Sequence, residues 1–309
     1  MIWNCVVLLF GFALLLKGAD AFVDGSSGIA RLLRVPGVVI GLTIVAIGTS
    51  LPEASVSITA GLVGANGLSL GNVIGSNIFN LMVVACLCAL IMTFSLEKQL
   101  LTRDFPVCVG ASALLVVFLL DGVLARWEGL VLLAGIIAYI AWTVAATLKN
   151  RAGTEPCTET ISPVKCVVFI VLGAAAIIWG GDLVVNSASA IARTLGLTET
   201  LIGLTIVAVG TSLPELATSI VAAKKGESGL ALGNAIGSST FNILFILGAS
   251  SALNPIEAPA GILVDALILL ALTGALFVWC RIKGRMTKPM GAAGLAAYLA
   301  YMVYLIVNA

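Results

Sequence analysis

The chain contains no histidine, and only 10% of its 309 residues are charged. The missing histidine excludes a histidine-based proton relay and a histidine-ligated metal or haem. Soluble domains carry about 25% charged residues, so this charged fraction argues against a soluble protein. The net charge of +1 offers no attraction for nucleic acid, and we expect no nucleic-acid partner.

The cysteines also lack a pattern typical of metal or redox sites, although there are seven of them. Cys86 and Cys88 lie inside an apolar run, and Cys157 lies in a polar loop. We interpret them as small apolar fillers with one exposed thiol. No cofactor is expected.

Long apolar runs dominate the sequence, which is 60% hydrophobic with a mean hydropathy of +1.16. Runs of about 20 residues are the length that crosses a bilayer as a helix. The alternation of an outer-membrane barrel is absent. The first run resembles a signal peptide, but it lacks a positive n-region and has a counterpart later in the chain. We therefore predict an all-α polytopic membrane protein.

The chain matches itself without a gap when it is displaced by 162 residues. "GLTIVAIGTSLPE" at Gly41–Glu53 returns as "GLTIVAVGTSLPE" at Gly203–Glu215, and "GNVIGSNIFN" at Gly71–Asn80 returns as "GNAIGSSTFN" at Gly233–Asn242. An internal repeat of this length indicates that the fold consists of two related halves. It also supports the first run as a genuine helix.

We predict ten transmembrane helices in two inverted five-helix repeats. The predicted spans are roughly 2–24, 38–62, 68–93, 106–122 and 127–148, then 164–192, 201–223, 229–252, 259–280 and 290–308. Residues 1–148 would form the first repeat, 149–163 a linker and 164–309 the second repeat. An odd number of spans inverts the second half, as in secondary transporters with an ion site at the midplane.

The basic residues predict the orientation of the chain in the membrane. With the N-terminus outside, the cytoplasmic side holds Arg31, Arg34, Lys98, Arg103, Lys149, Arg151, Lys165, Lys224, Lys225, Arg281, Lys283, Arg285 and Lys288. The outer side holds only Arg126 and Arg193. We expect both termini outside, the linker in the cytoplasm, and a prokaryotic plasma (inner) membrane.

The repeated motif places oxygen atoms on one face of a helix. In the first half this face comprises Ala46, Thr49, Ser50 and Glu53. Pro52 has no N–H, so the carbonyl of Gly48 loses its usual helical partner. A freed carbonyl in a bilayer needs another partner, and a cation can serve. The second half repeats the pattern with Ala208, Thr211, Ser212, Pro214 and Glu215.

The helix that follows each motif adds a second polar face. Its residues are Asn72, Ser76 and Asn80 in the first half and Asn234, Ser238 and Asn242 in the second. This face could instead be a small-residue packing seam. Together with the motif it offers an oxygen-only site of the kind that Ca²⁺ accepts, and that Na⁺ would accept too.

Two glutamates lie inside apolar sequence. Inserting one ionised acid at the bilayer centre costs about 2.5–3.5 kcal/mol of free energy. We predict that different cations neutralise Glu53 and Glu215 in turn. Asp20 and Asp182 form another mirrored pair, for which we expect a structural or gating role. We expect ordinary loop or interfacial charges at Asp24, Asp104, Asp265, Glu97, Glu128, Glu199, Glu227 and Glu257.

"GTSLPE" and "GNVIGSNIFN", repeated in inverted halves, resemble the α-repeats of the cation/calcium exchanger superfamily, in particular its microbial sodium/calcium exchangers. The resemblance implies ten helices and electrogenic exchange of several Na⁺ for one Ca²⁺. It implies cation ligands at Glu53, Glu215, Thr49, Ser50, Thr211, Ser212, Ala46, Ala208, Ser76, Ser238, Asn80 and Asn242. Some members carry Asp at the position of Asn242, and in potassium-dependent members an acid there is tied to the use of K⁺. Asparagine at both Asn80 and Asn242 therefore resembles the pattern of K⁺-independent members. Ser239-Thr240 replaces Asn77-Ile78, so the halves need not bind ions equally.

Other functions remain open at this point. The same glutamates could exchange Ca²⁺, or another cation, for protons. An intramembrane enzyme is disfavoured because the motif offers serine and glutamate but neither histidine nor lysine, so no obvious base activates a nucleophile. A passive channel is disfavoured because a highly charged site releases ions slowly. The expected partners are Ca²⁺, Na⁺ and the lipid bilayer, with no obligate protein partner.

Overall fold

The computed structural model describes residues 2–150, 162–196 and 208–308, and nearly all of them are helical. The helices are α1 (Ile2–Leu33), α2 (Gly37–Thr49), α3 (Leu51–Leu62), α4 (Asn66–Ile91), α5 (Leu100–Phe118), α6 (Arg126–Asn150), α7 (Pro163–Thr194), α8 (Ala208–Gly210), α9 (Leu213–Lys224), α10 (Ser228–Leu253), α11 (Ile262–Lys283) and α12 (Lys288–Asn308). Most of the predicted linker, Cys157 and the start of the predicted span 201–223 lie outside the described residues.

Eight helices in the described part of the chain are long and apolar enough to cross a membrane, or nine if the bent pair α2–α3 is one span. The prediction of a polytopic helical membrane protein is confirmed, and the count is compatible with ten. Two predicted spans had wrong boundaries. The first span does not end near residue 24, because Gly25 and Ala30 are buried in a helix that continues to Leu33. The span predicted at 106–122 is α5, which begins earlier and ends in the turn after Phe118.

Each "GTSLPE" motif ends one helix and begins the next. α2 and α3 meet at an angle of 53° around Ser50. Pro52 stands at the start of α3, where its missing N–H has no intrahelical acceptor to lose. In the second half Thr211 and Ser212 separate α8 from α9, and Pro214 takes the same position.

Two short antiparallel pairings join the halves. β1 (Phe94–Ser95) pairs with β4 (Arg285–Met286), and β2 (Val123–Leu124) pairs with β3 (Ile256–Glu257). These strands were not predicted. A displacement of 162 residues makes β1 equivalent to β3 and β2 to β4, so each pair contains one strand from each half. In the predicted ten-span order an even number of spans separates the members of each pair, which places both members at the same membrane face.

The centre and the rim of the bundle differ in burial. In their most apolar stretches, 94% of α10 and 78% of α4 are buried, against 22% of α12. At the rim α1 packs along α7. A Cβ atom on Gly18 would lie 2.9 Å from the carbonyl oxygen of Gly173, and one on Gly180 would lie 2.6 Å from the backbone nitrogen of Leu15. Glycines therefore let these two backbones touch.

Two acids that we expected to be ordinary loop or interfacial charges are buried. Asp104 accepts hydrogen bonds from Arg103 Nε at 2.6 Å and from the Tyr139 hydroxyl at 3.1 Å. Glu128 accepts one from the Ala125 amide at 2.8 Å. Buried acids need such partners. Tyr139 lies on another helix, so residue spacing did not predict its contact with Asp104.

Candidate cation site

Glu53 and Glu215 lie in the first turns of α3 and α9, where the helix dipole favours a carboxylate. Both side chains are fully buried. The Ser212 hydroxyl donates to Glu53 Oε1 at 3.0 Å, and the Ser50 hydroxyl donates to Glu215 Oε1 at 2.8 Å. The other oxygen of each carboxylate, Oε2, has no hydrogen-bond partner among the described residues. Each half thus holds one oxygen of the other half's glutamate.

The motif threonines also reach across the halves. Thr49 Oγ1 donates to Asn234 Oδ1 at 3.0 Å, and Thr211 Oγ1 lies 3.4 Å from Asn72 Oδ1. Both contacts join a "GTSLPE" threonine to the first asparagine of the opposite "GN" helix. The polar faces of the two motifs therefore meet in space, as the sequence predicted.

Two serines extend these chains of hydrogen bonds, and sequence reasoning missed both serines. Asn72 Nδ2 donates to Ser57 Oγ at 2.8 Å, and Asn234 Nδ2 donates to Ser219 Oγ at 2.9 Å. Ser57 and Ser219 each follow a motif glutamate by four residues, which places both on its helical face. That spacing was the available signal.

The serines of the second polar face differ from each other. Ser238 Oγ lies 3.4 Å from both the Ala46 carbonyl oxygen and Glu215 Oε1. Ser76 Oγ is buried and has no partner in the described structure. Ala46 is buried near the end of α2, whereas only the backbone of Ala208, at the start of α8, is described.

Asn80 and Asn242 each begin a π-helical turn, Asn80–Val84 and Asn242–Leu247. The turn at Asn80 packs against α9, which carries Glu215, and the turn at Asn242 packs against α3, which carries Glu53. Such turns often occur at functional sites. Neither was predicted, because a wider turn leaves no clear mark in residue spacing.

The site contains buried oxygen atoms that have no partner among the described residues. They are Glu53 Oε2, Glu215 Oε2, Ser76 Oγ, Asn80 Oδ1 and Asn242 Oδ1. Buried polar atoms are nearly always hydrogen-bonded, so unpartnered oxygens on the two repeated motifs are suited to a ligand. Carboxylate, hydroxyl and amide oxygens suit a hard cation. The described residues contain no cluster of three or more His, Cys, Asp or Glu side chains, which does not favour a transition metal.

A cavity of about 330 Å³ opens beside the motif bends. Asp182 on α7 lines it together with Pro52, Thr211 and Pro214. Asp20, the equivalent of Asp182, instead lies 2.6 Å from Lys225 Nζ. The two mirrored aspartates therefore have different surroundings.

The family profile described as sodium/calcium exchanger protein matches residues 3–145 and 165–307, one match in each half. The chain belongs to the sodium/calcium exchanger family. This confirms the resemblance noted in the sequence.

Several relatives in the sodium/calcium exchanger family match nearly the whole length of the chain. The putative antiporter CaxA of Alkalimonas amylolytica is 37% identical, and the sodium/calcium exchanger MaX1 of Methanosarcina acetivorans is 32% identical, each over 98% of both chains. A structure of the sodium-calcium exchanger NCX_Mj soaked with Na⁺ and Ca²⁺ superposes with a TM-score of 0.87 at 34% identity, covering 98% of both chains.

Proposed function

We propose that this protein is a secondary active antiporter that exchanges Na⁺ for Ca²⁺ by alternating access. The observation that carries the proposal is the reciprocal pairing of Glu53 with Ser212 and of Glu215 with Ser50. Each pairing fixes a carboxylate inside the bundle and leaves its second oxygen for a cation. The names of the relatives MaX1 and NCX_Mj support the choice of Na⁺ and Ca²⁺.

The proposed cation ligands come from both halves. They are the side chains of Glu53, Thr49, Ser50, Ser76 and Asn80, those of Glu215, Thr211, Ser212, Ser238 and Asn242, and the backbone carbonyls of Ala46 and Ala208. Two carboxylates match the charge of one Ca²⁺. When Ca²⁺ leaves, the two negative charges repel each other in a medium of low dielectric. Na⁺ ions would neutralise them, which couples the two fluxes.

Alternating access would move α1 and α7 together past the helices that carry the motifs. Their backbones touch along the glycine seam of Gly18, Gly173 and Gly180. The cavity beside Thr211 and Pro214 is the proposed ion route from one membrane face. We divide the chain into repeats 1–148 and 164–309, joined by the linker 149–163.

We place the protein in the plasma (inner) membrane of a prokaryote, with both termini outside and the linker in the cytoplasm. The support is the distribution of lysine and arginine along the sequence. A relative from Escherichia coli that is 34% identical is named an inner membrane protein. The proposal includes no enzyme activity, cofactor or obligate protein partner.

The test is uptake of radioactive Ca²⁺ into proteoliposomes loaded with Na⁺ and diluted into Na⁺-free buffer at equal pH. A K⁺ load is the control. Uptake with the Na⁺ load alone is the expected result. Uptake that ignores Na⁺ but follows an acidic interior would overturn Na⁺ coupling in favour of proton exchange by the same glutamates.

A further inference from the structure

The two amides that begin the π-helical turns have different surroundings. Asn242 Nδ2 donates to Asn77 Oδ1 at 3.1 Å, and Asn77 Nδ2 donates to the backbone carbonyl of Ser239 at 3.0 Å. Asn77, Asn242 and Ser239 are fully buried. Neither the oxygen nor the nitrogen of the Asn80 amide has a partner among the described residues.

These two hydrogen bonds form a relay from Asn242 through Asn77 to Ser239, and the Ser239 carbonyl fixes its direction. A backbone carbonyl can only accept, so Asn77 has to turn its NH₂ group toward Ser239. Its Oδ1 then faces the other way and requires a donor. Asn242 meets that requirement only with its own NH₂ group, which leaves Asn242 Oδ1 as the atom directed away from Asn77. The Ser239 carbonyl thus orients the Asn77 amide, which in turn orients the Asn242 amide.

This orientation decides whether Asn242 can bind a cation. An amide oxygen is a ligand for Ca²⁺ and Na⁺, whereas an amide NH₂ group is a donor with no acceptor capacity. Asn242 Oδ1 is buried without a partner, on a turn that packs against the helix of Glu53. Its role thus depends on which end of the amide faces the site.

Among the described residues, Asn80 has no hydrogen-bond relay equivalent to that of Asn242. The residue that corresponds to Asn77 is Ser239, and its hydroxyl donates to the Ala235 carbonyl of its own helix at 2.9 Å. A serine that bonds within its own helix cannot orient a distant amide. Asn80 is therefore not oriented by the repeat counterpart of Asn77.

We propose that Asn77 is a positioning residue that presents Asn242 Oδ1 to the transported cation and so makes the two halves of the site inequivalent. The proposal rests on the proposed function, because it concerns one of the ligands proposed there. Asn77 acts through Asn242 and does not itself bind the ion.

The first test is N77S, which gives position 77 the residue found at its repeat counterpart. Equilibrium binding of radioactive Ca²⁺ to the purified protein in Na⁺-free detergent should weaken by roughly tenfold, the effect of losing one fixed ligand. N66S is the matched control, since Asn66 begins the same helix about 16 Å away and should bind Ca²⁺ as the wild type does. If N77S does not fold, N77T, which keeps more of the side-chain volume, takes its place with the same expectation.

The decisive test repeats N77S in an N242D background. A carboxylate has an oxygen at both positions, so its orientation no longer matters. The N77S change should then leave Ca²⁺ affinity unchanged or improve it. A residue that only packs the helix would cause the same loss in both backgrounds, and that result would overturn the proposal.

A binding measurement on E53Q separates this inference from the proposed function. If the wild type binds no Ca²⁺, or E53Q binds it normally, the proposed cation site itself is wrong. If E53Q has lost binding while N77S or N77T binds like the wild type, only the positioning role of Asn77 is wrong.

Discussion

Glu53 and Glu215 share one kind of hydrogen bond across the halves, whereas Asn80 and Asn242 have no such bond in common. Each glutamate accepts one bond from the opposite half's motif serine. Asn242 donates to the side chain of Asn77, whereas the Asn80 amide has no partner in the part of the chain that the structure describes. The reciprocal serine–glutamate contacts are present in both halves because both partners are repeated, whereas the Asn77–Asn242 contact has no counterpart because Ser239 stands at the position equivalent to Asn77. Repetition of both partners is not sufficient, since Ser238 Oγ lies 3.4 Å from Glu215 Oε1 while its counterpart Ser76 has no partner among the described residues.

The two ends of the bundle differ in a similar way. Lys225 Nζ lies 2.6 Å from a carboxylate oxygen of both Asp20 and Asp24, which fastens α1 to the loop after α9. The repeat counterparts of Lys225 and Asp24 are Val63 and Asn186, so the opposite end has no corresponding ion pair. The charged end is the one that we predict to be cytoplasmic.

The largest expected effect tests the symmetric part of the site. E53Q and E215Q should each lower Na⁺-driven Ca²⁺ uptake by about a hundredfold or more, because each removes a charged ligand. E257Q is the control, since Glu257 is exposed in β3. Uptake into proteoliposomes measures all three, and wild-type flux in either buried variant would contradict the shared role of the glutamates.

The reciprocal serines provide a sharper comparison. S50A and S212A each remove one hydrogen bond to a buried carboxylate, a contribution of about 1.5–3 kcal/mol. Ca²⁺ binding should weaken by roughly tenfold or more, and by similar factors in both variants. S112A, a buried serine on α5 that bonds within its own helix, serves as the control. Clearly unequal losses would show that the carboxylates are not equivalent.

The glycine seam tests whether α1 and α7 must remain in contact. G180A places a Cβ atom against the backbone of Leu15 and should destabilise the protein by about 1–3 kcal/mol. Thermal unfolding in detergent and the uptake rate should both decrease. G274A is the matched control, because a Cβ atom there has no neighbour within 4 Å. Unchanged stability and uptake in G180A would mean that the helices separate without consequence.

The smallest effect is expected at the charged end of α1. Partial burial works against the charge of Lys225, but its hydrogen bonds and ion pairs with Asp20 and Asp24 raise the pKa above its usual value. The contribution of the Lys225 ion pairs to the stability of the folded protein is therefore fully present below about pH 10.4. It is lost only as the pH rises through the raised pKa of Lys225. K225M should change the uptake rate by less than about threefold, because the pair is partly exposed.

The control for that prediction is K224M, which removes the exposed neighbouring charge. A high concentration of choline chloride should reduce the difference between K225M and the wild type, since salt screens exposed pairs. A loss that is large and independent of salt would show that Lys225 has a role beyond this ion pair.

Much of the fold followed from residue spacing. The apolar runs predicted the helical spans, and the 162-residue repeat predicted that the two motif regions are related. Pro52 predicted the interruption that the structure places at Ser50. Helical spacing also predicted that Thr49 shares a polar face with Glu53, and Thr211 with Glu215.

Other features depended on contacts between distant parts of the chain. Asp104 is bonded by Tyr139 on another helix, and α1 beyond residue 24 packs against α7 at Gly25. Ser57 joined the site only through Asn72 on α4. No residue pattern within one segment specifies such partners.

The sequence by itself determined that two buried glutamates occupy equivalent places in two related halves, because one repeated pattern of apolar and polar residues dictates both. Only the tertiary structure decided that Ser212 bonds to Glu53 and Ser50 to Glu215, across 159 and 165 residues of chain. It also decided that Asn242 is oriented and Asn80 is not. The physical reason is that a side chain's face follows from local helical geometry, whereas its partner depends on how the helices pack.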